Sequence, residues 1–313
     1  MKKTLFKSKA NRNEHIFCFC MLIFFVLHWF VFWVYANFNS IRMAFTEYND
    51  VTFTHDLLPS GRTFENFKKF FTEIFSARGA KYLLNGAYFH LISTLFCLPL
   101  SYMVAYIIYK KLPATGFFKV VLYLPAIVSG MVTVLLYKHI IESGLDGFMM
   151  QNLGKKLPYV FTDERYSRLT ISAYVIFFGI PGSLLINLGT MSRVPEELIE
   201  YGQMEGITLF KEFLHVIVPL IYPVLEVQCL GLFLGFFTAS GPLYTFYQYA
   251  APENLKTFGY YMFVSVLHGT SEQAAEFSYG YNAAAHLSIV LFSVPIVQAT
   301  KWLLDKFDPQ AEY

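Results

Sequence analysis

The stretch EYGQMEGITLFKEFLHVIVP, residues 200–219, decides how the rest of this chain is read. It carries acids, a glycine and a closing proline, and it lies between two long apolar segments in a sequence with little charge. Of the 313 residues, 55% are hydrophobic, 19% aromatic and only 15% charged, which excludes an ordinary soluble domain and points to a membrane protein. The net charge of +2 and the lack of basic runs interleaved with aromatics beyond the N-terminus set nucleic-acid binding aside. Cys18, Cys20, Cys97 and Cys229 all fall inside apolar segments, where cysteine acts as a small hydrophobe, so neither a disulfide framework nor a zinc site is expected.

A hydrocarbon core of about 30 Å takes about 20 apolar residues in a helix. Six segments meet that length: residues 16–36, 87–109, 117–141, 169–189, 217–238 and 283–304. The basic leader at 1–15 precedes an apolar stretch too long for a cleaved signal peptide, so it reads as a retained anchor, and 16–313 reads as one six-helix domain. Basic residues divide evenly between the two sides in total. The leader and the Lys110/Lys111 pair stand close to span ends, where they weigh most, so both termini and the opening stretch are expected in the cytoplasm.

On the outer side, RTFENFKKFFTEIF (62–75) sets Phe64, Phe67, Phe71, Ile74 and Phe75 opposite Glu65, Lys68, Lys69 and Glu73. It reads as a helix that lies on the membrane surface or packs on its own bundle. The aromatic-rich loop at 241–282 suits an interface belt or a sugar-stacking wall.

The segment SRVPEELIEYGQMEGITLFKEFLHVIVPLIYP (192–223) parses as two short helices. Pro195 suits a first helical turn, and Glu196 and Glu197 sit where the helix dipole favours acids. Leu198, Tyr201, Gly202 and Glu205 share a face. Gly206 is placed to stop the first helix in the left-handed conformation and Thr208 to cap the second, whose apolar face is Phe210, Phe213, Leu214 and Ile217. Pro219 and Pro223 mark a bend into the fifth span. The expected product is a rigid helical elbow at 193–219.

The order Glu200, Gly206, Phe213, Val216, Pro219, led by VPEEL, resembles the EAA coupling motif of permease subunits of binding-protein-dependent ABC importers. Tyr201 and Gly202 stand where that motif has two alanines, Glu205 where it has aspartate, and Ile207 where it has alanine. The resemblance implies an all-α, six-helix type I importer permease fold in the plasma membrane. It further implies an elbow docked in a cleft of a separate ATPase, Glu200 making the polar contact, Gly206 permitting the turn and Phe213 filling the cleft. The segments KYLLNGAYFHLISTLFCLPLSYMVAYIIYKKLPATGFFKVVLYLPAIVSGMVTVLLYKHII, GPLYTFYQY and KWLLDKFDPQAEY are similar to the carbohydrate branch, particularly to importers of oligosaccharides or polysaccharide fragments. The implied partners are ATPase subunits, a second and different permease subunit, and an extracytoplasmic sugar-binding protein. No Walker-type phosphate loop occurs in the sequence, so ATP and magnesium would belong to the ATPase chain, with no cofactor on this one and no catalysis of its own.

Polar groups at membrane depth are functional candidates by default. Glu226 and Gln228 in the fifth span and Ser183 and Asn187 in the fourth qualify. Gly179 and Ser183 also resemble a substrate-path G-x-P site of the family, and close helix packing is the competing reading of the glycines. His286 could meet sugar or a neighbouring helix, and Tyr244, Tyr247 and Gln248 are outer-gate candidates. Two other readings stay open: an ion-coupled secondary transporter, which has no use for the elbow, and an ABC importer of a non-sugar solute. An intramembrane enzyme lacks any paired nucleophile and base.

Overall fold

The computed structural model describes residues 9–49, 54–113, 115–237, 240–267 and 279–308. Lys2, Lys3 and Lys7 of the leader, residues 268–278 of the long loop and the closing residues 309–313 lie outside the described residues.

The chain is an all-α polytopic membrane protein. Spanning helices are α1 (Glu14–Met43), α3 (Ala77–Tyr109), α6 (Glu164–Met191), α8 (Leu209–Gly235) and α11 (Tyr279–Lys306). They extend beyond the expected spans because polar caps lie outside the apolar runs. Ser76 opens α3 by accepting from the Gly79 N–H, and Asp163 opens α6 by accepting from the Arg165 N–H. Pro181, Pro223 and Pro295 sit inside helices without ending them, and α8 runs without a break through Pro219 and Pro223, so the bend expected there is not a break.

The span expected at 117–141 is not a single rod. It is a pair, α4 (Thr115–Ile127) and α5 (Gly130–Leu153), meeting at 115°. Pro125 withholds a backbone N–H near the end of α4, and Ser129 turns extended (ψ 145°) and caps the N–H of Val132, which starts a new helix.

Contacts group the chain into two compact units, Met1–Phe71 with Gly269–Ser288, and Thr72–His268 with Ile289–Tyr313. In the first, β1 (Thr46–Asn49) pairs antiparallel with β2 (Thr54–Leu57), with Thr46 opposite Leu57. The Asn66 amide ties α2 (Glu65–Ile74) to this hairpin by donating to the Ala44 and Thr46 carbonyls at 3.0 and 2.9 Å. Gly280 fits tightly there, since a Cβ would lie 2.1 Å from the Thr46 oxygen. Asn66 and Phe70 are buried while Phe64 and Phe75 are exposed, so α2 packs on the chain along a stripe rotated from the face read in the sequence.

The second unit has a core at each end. Tyr102, Tyr106, Leu184, Met191, Phe213 and Ile217 form one. Phe161, Ile171, Tyr174, Leu243, Phe246 and Tyr260 form the other, drawing on α6, α9 (Leu243–Tyr247) and α10 (Phe258–Leu267). Lipid is as apolar as leucine, so close packing and polar links, more than water exclusion, hold these helices together.

Candidate functional site: an elbow, a polar layer and a cavity

The elbow forms as two helices, α7 (Glu196–Met204) and the start of α8. Pro195 takes the N-cap position (ψ 127°), one place earlier than expected, and Thr208 is an extended N-cap whose hydroxyl makes no capping bond. The stop between the helices is a Schellman turn. Gly206 adopts φ +72°, its N–H bonds the Gln203 carbonyl at 3.0 Å, and the Ile207 N–H bonds the Gly202 carbonyl at 3.1 Å. Ile207 closes over Gly202, where a Cβ would meet its Cδ1 at 2.6 Å. Two departures from the alanine pattern are therefore one packing arrangement.

Ile199 and Gly202 face the bundle, while Glu200 is exposed with Tyr201 at 66% and Met204 at 81%. Beside them lies an open groove of about 640 Å³, bordered by Leu198, Tyr201, Glu205, Lys211, His215 and Pro219. Phe213 does not face it. Its ring is buried in the chain's own core, 5.1 Å from that of Tyr106, so it cannot fill a partner's cleft; Phe210, at 64% exposure, presents an aromatic ring instead. Phe213 belongs to a buried stripe of Glu212, Phe213, Ile217 and Ile221 that includes a π-turn at Phe213–Ile217, while Phe210 and Leu214 of the expected face are exposed.

Glu212 is the residue sequence reading missed. Only 1% exposed, it accepts from the Tyr106 hydroxyl at 2.9 Å and pairs with the Lys110 ammonium at 2.9 Å. An acid directly before an apolar run, with a lysine pair ending another span, was the available signal.

Deeper in the bundle, Ser101, Ser183, Asn187 and Gln228 join α3, α6 and α8. The Ser101 and Ser183 hydroxyls are 2.8 Å apart, the Asn187 amide donates to Ser101 at 2.9 Å, and the Gln228 amide donates to Asn187 Oδ1 at 2.7 Å. Asn187 and Ser101 are wholly buried, and through these bonds the side chains link helix to helix. Gly179 packs against Cys97, which a Cβ would approach to 3.0 Å. Glu226 lies one turn, about 6 Å, from Tyr222. The Tyr222 hydroxyl donates to the Leu304 carbonyl near the end of α11 at 2.9 Å, and Glu226 is half-buried one turn further along α8. His286 is exposed on α11.

A cavity of about 200 Å³ opens at the other end, between α3, α6, α8 and the loop into α9. Phe89, His90 and Phe236 give it flat aromatic walls, Gly86, Gly231 and Gly235 bring backbone to its surface, and Ser93 contributes a hydroxyl. None of the path candidates read from the sequence lines it, because it depends on residues without charge or conspicuous polarity.

Beside the cavity the α9–α10 loop is clasped to the helices. Arg168 donates to Asn85 Oδ1 and the Asn254 carbonyl, each at 2.6 Å, and lies over the Tyr88 ring at 5.0 Å. Lys138 donates to the Phe246 carbonyl at 2.8 Å. Tyr247 spends its hydroxyl on the Phe161 carbonyl at 2.8 Å, and burial pushes its pKa up. Gln248 holds a positive φ of 50°, and its carbonyl accepts from the Tyr260 hydroxyl at 2.7 Å. Tyr244 packs edge-on against Phe263. Burial would raise the Glu253 carboxyl, but the adjoining Lys256 ammonium and Tyr82 hydroxyl outweigh it and hold its pKa below the usual carboxylate range.

This helix order, with an elbow leading into α8, is a fold found in ABC importer structures. The structure superposes on that of a bacterial ABC transporter involved in import of the acidic polysaccharide alginate with TM-score 0.73 and 18% identity, covering 95% of this chain and 98% of the other. A structure of the alginate transporter in complex with an alginate pentasaccharide-bound periplasmic protein gives 0.68 at 16% identity, covering 96% and 97%. In sequence the chain is similar to permease proteins of sugar ABC transport systems. It is 25% identical over 206 residues to the galactooligosaccharide permease GanP of Bacillus subtilis, which is 62% of this chain and 46% of GanP. It is 22% identical over 278 residues to the arabinooligosaccharide permease AraP of the same organism, 87% of this chain and 84% of AraP. Against the maltose/maltodextrin permease MalF of Escherichia coli it is 23% identical over 172 residues, 52% of this chain and 34% of MalF, so the chain spans about half or less of GanP and MalF. No family profile matches the chain.

Proposed function

We propose that this chain is a membrane-spanning permease subunit of an ATP-driven importer that passes an oligosaccharide inward from an extracytoplasmic binding protein. The observation that carries the reading is the elbow: a stiff helix pair, stopped by Gly206 in the left-handed conformation, offers Glu200, Tyr201 and Met204 outward beside an open groove. A separate ATPase docks there, hydrolyses ATP with its own magnesium, and moves the elbow as a rigid body. The elbow and both termini then face the cytoplasm, in accord with the basic residues near the span ends.

Sugar passes the cavity lined by Phe89, His90 and Phe236. Aromatic faces stack on the apolar faces of pyranose rings, and glycines let a bulky ring approach the backbone. The alginate complex with its periplasmic protein supports delivery by a binding protein. A second, different permease subunit completes the path.

Co-purification from detergent with candidate ATPase subunits tests this, comparing the native chain with Glu200→Arg and Gly206→Trp. Retention by the native chain and loss with both changes, at unchanged folding, is the expected result. Absence of any ATPase on the native chain, or indifference to both substitutions, overturns the proposal and returns the bundle to the ion-coupled reading.

A further inference from the structure

The junction of Glu212 with Lys110 and Tyr106 has more order than stability demands. Glu212 opens α8, whereas Tyr106 lies in the last turn of α3 and Lys110 caps its end. Lys110 reaches both carboxylate oxygens, Oε1 at 2.9 Å and Oε2 at 3.3 Å, while the Tyr106 hydroxyl bonds Oε1 at 2.9 Å and approaches the Leu209 carbonyl at 3.2 Å. A buried ion pair is often no more stabilising than an apolar pair of the same volume, because desolvation offsets the attraction. What it adds is direction and stiffness, since apolar contacts slide and a pinned carboxylate does not.

Its position gives that stiffness a use. The clamp joins the elbow to α3 at the opening of α8, ahead of the π-turn Phe213–Ile217, so the elbow reaches α3 through side chains as well as α8 through its own backbone. At its far end α3 supplies Gly86, Phe89, His90 and Ser93 to the cavity, with its own π-turn Ser93–Cys97 at the cavity border. Tyr106 and Ser93 are thirteen residues apart, about 20 Å along a helix.

We propose that Glu212, Tyr106 and Lys110 form the strut through which a movement of the elbow is passed into α3 and so to the cavity at its opposite end. The three act as positioning residues and contact neither nucleotide nor sugar. The inference rests on the reading of the elbow as an ATPase-docking segment.

The test uses the full chain assembled with the ATPase subunit that co-purifies with it. The four native cysteines are replaced by alanine, Ser93→Cys is the reporter, and a water-soluble maleimide measures its labelling rate with and without ATP. In the native strut, ATP changes the rate. In the Lys110→Leu/Glu212→Leu double variant, which leaves no buried charge unpaired, the ATPase still docks, the unfolding midpoint is kept, and the ATP-dependent change falls about fivefold or more, the lower range of ordinary coupling between sites. Lys110→Arg, which keeps a paired cation, retains the response, and Glu212→Gln repeats the loss without a change of volume. A full ATP response in the double variant or in Glu212→Gln overturns the strut while leaving the proposed function standing. So does a native complex whose labelling ignores ATP although the ATPase is docked. An ATPase that does not bind the native chain at all overturns the proposed function, and this inference with it.

Discussion

Replacing Gly202 by alanine tests whether the elbow's departures from the alanine pattern compensate one another. A Cβ at Gly202 would lie 2.6 Å from Ile207 Cδ1 and 3.2 Å from Cγ1, so the isoleucine must move. Alanine in place of glycine within a helix gains about 0.8–1 kcal/mol. Forcing a packed side chain aside costs about 1–3 kcal/mol. Gly202→Ala alone should therefore lower stability by about 0–2 kcal/mol, despite its better helix propensity. Ile207→Ala alone loses a half-buried side chain, worth about 1 kcal/mol. In the double variant the obstruction is gone and the propensity gain remains, so it should exceed the sum of the single changes by about 1–3 kcal/mol. Urea unfolding of the four proteins in detergent micelles, followed by helical circular dichroism, measures the cycle. Additivity to within about 0.5 kcal/mol would refute the argument that Ile207 fills the space the glycine leaves.

Three further outcomes are expected. Gly206→Ala forces a side chain into a φ of +72° and should cost about 1–2 kcal/mol in the same unfolding assay, with Gly206→Asn milder. Asn187→Leu removes the amide that donates to Ser101 and the acceptor of Gln228, and should cost about 0.6–2 kcal/mol. The Glu253 carboxyl is depressed in the folded chain, so its contribution to the α9–α10 clasp is complete above the unfolded value of about 4.3 and is lost as pH falls through the lower folded value. The protection of peptides covering 250–257, after correction for the intrinsic pH dependence of amide exchange, should stay flat from about pH 7 to 5 and fall only below about pH 4; a fall between pH 7 and 5 would contradict that sign.

The elbow was legible because each device in it is local. A left-handed glycine, first-turn acids and spacing to a proline are properties of a short segment, and Gly206 adopts the conformation expected of it. The apolar runs at α1, α3, α6, α8 and α11 were legible for a similar reason, since lipid demands length and apolarity whatever the neighbours are. What failed was phase. The buried stripe runs through Glu212, Phe213, Ile217 and Ile221 and leaves Phe210 and Leu214 exposed, and no periodicity in the segment announces a buried acid there. The break at Ser129 hid within an apolar run whose composition does not change across it. The polar side chains chosen for a sugar path were chosen one helix at a time. Ser183, Asn187 and Gln228 are polar because they meet one another and Ser101 across three helices, which becomes visible only when the helices are packed. The cavity escaped for the opposite reason, being made of glycine, phenylalanine and one histidine, residues that each read singly as membrane filling.

The central claim is that the elbow is the surface an ATPase holds. Photo-crosslinking from single sites tests it most directly, with a photoreactive amino acid at Met204, 81% exposed on the elbow, and at Tyr159, 79% exposed in the loop at the other end of α6. The account predicts a crosslink to an ATPase subunit from Met204 and none from Tyr159. Crosslinking from Tyr159, or none from Met204 while the ATPase remains bound, would contradict it.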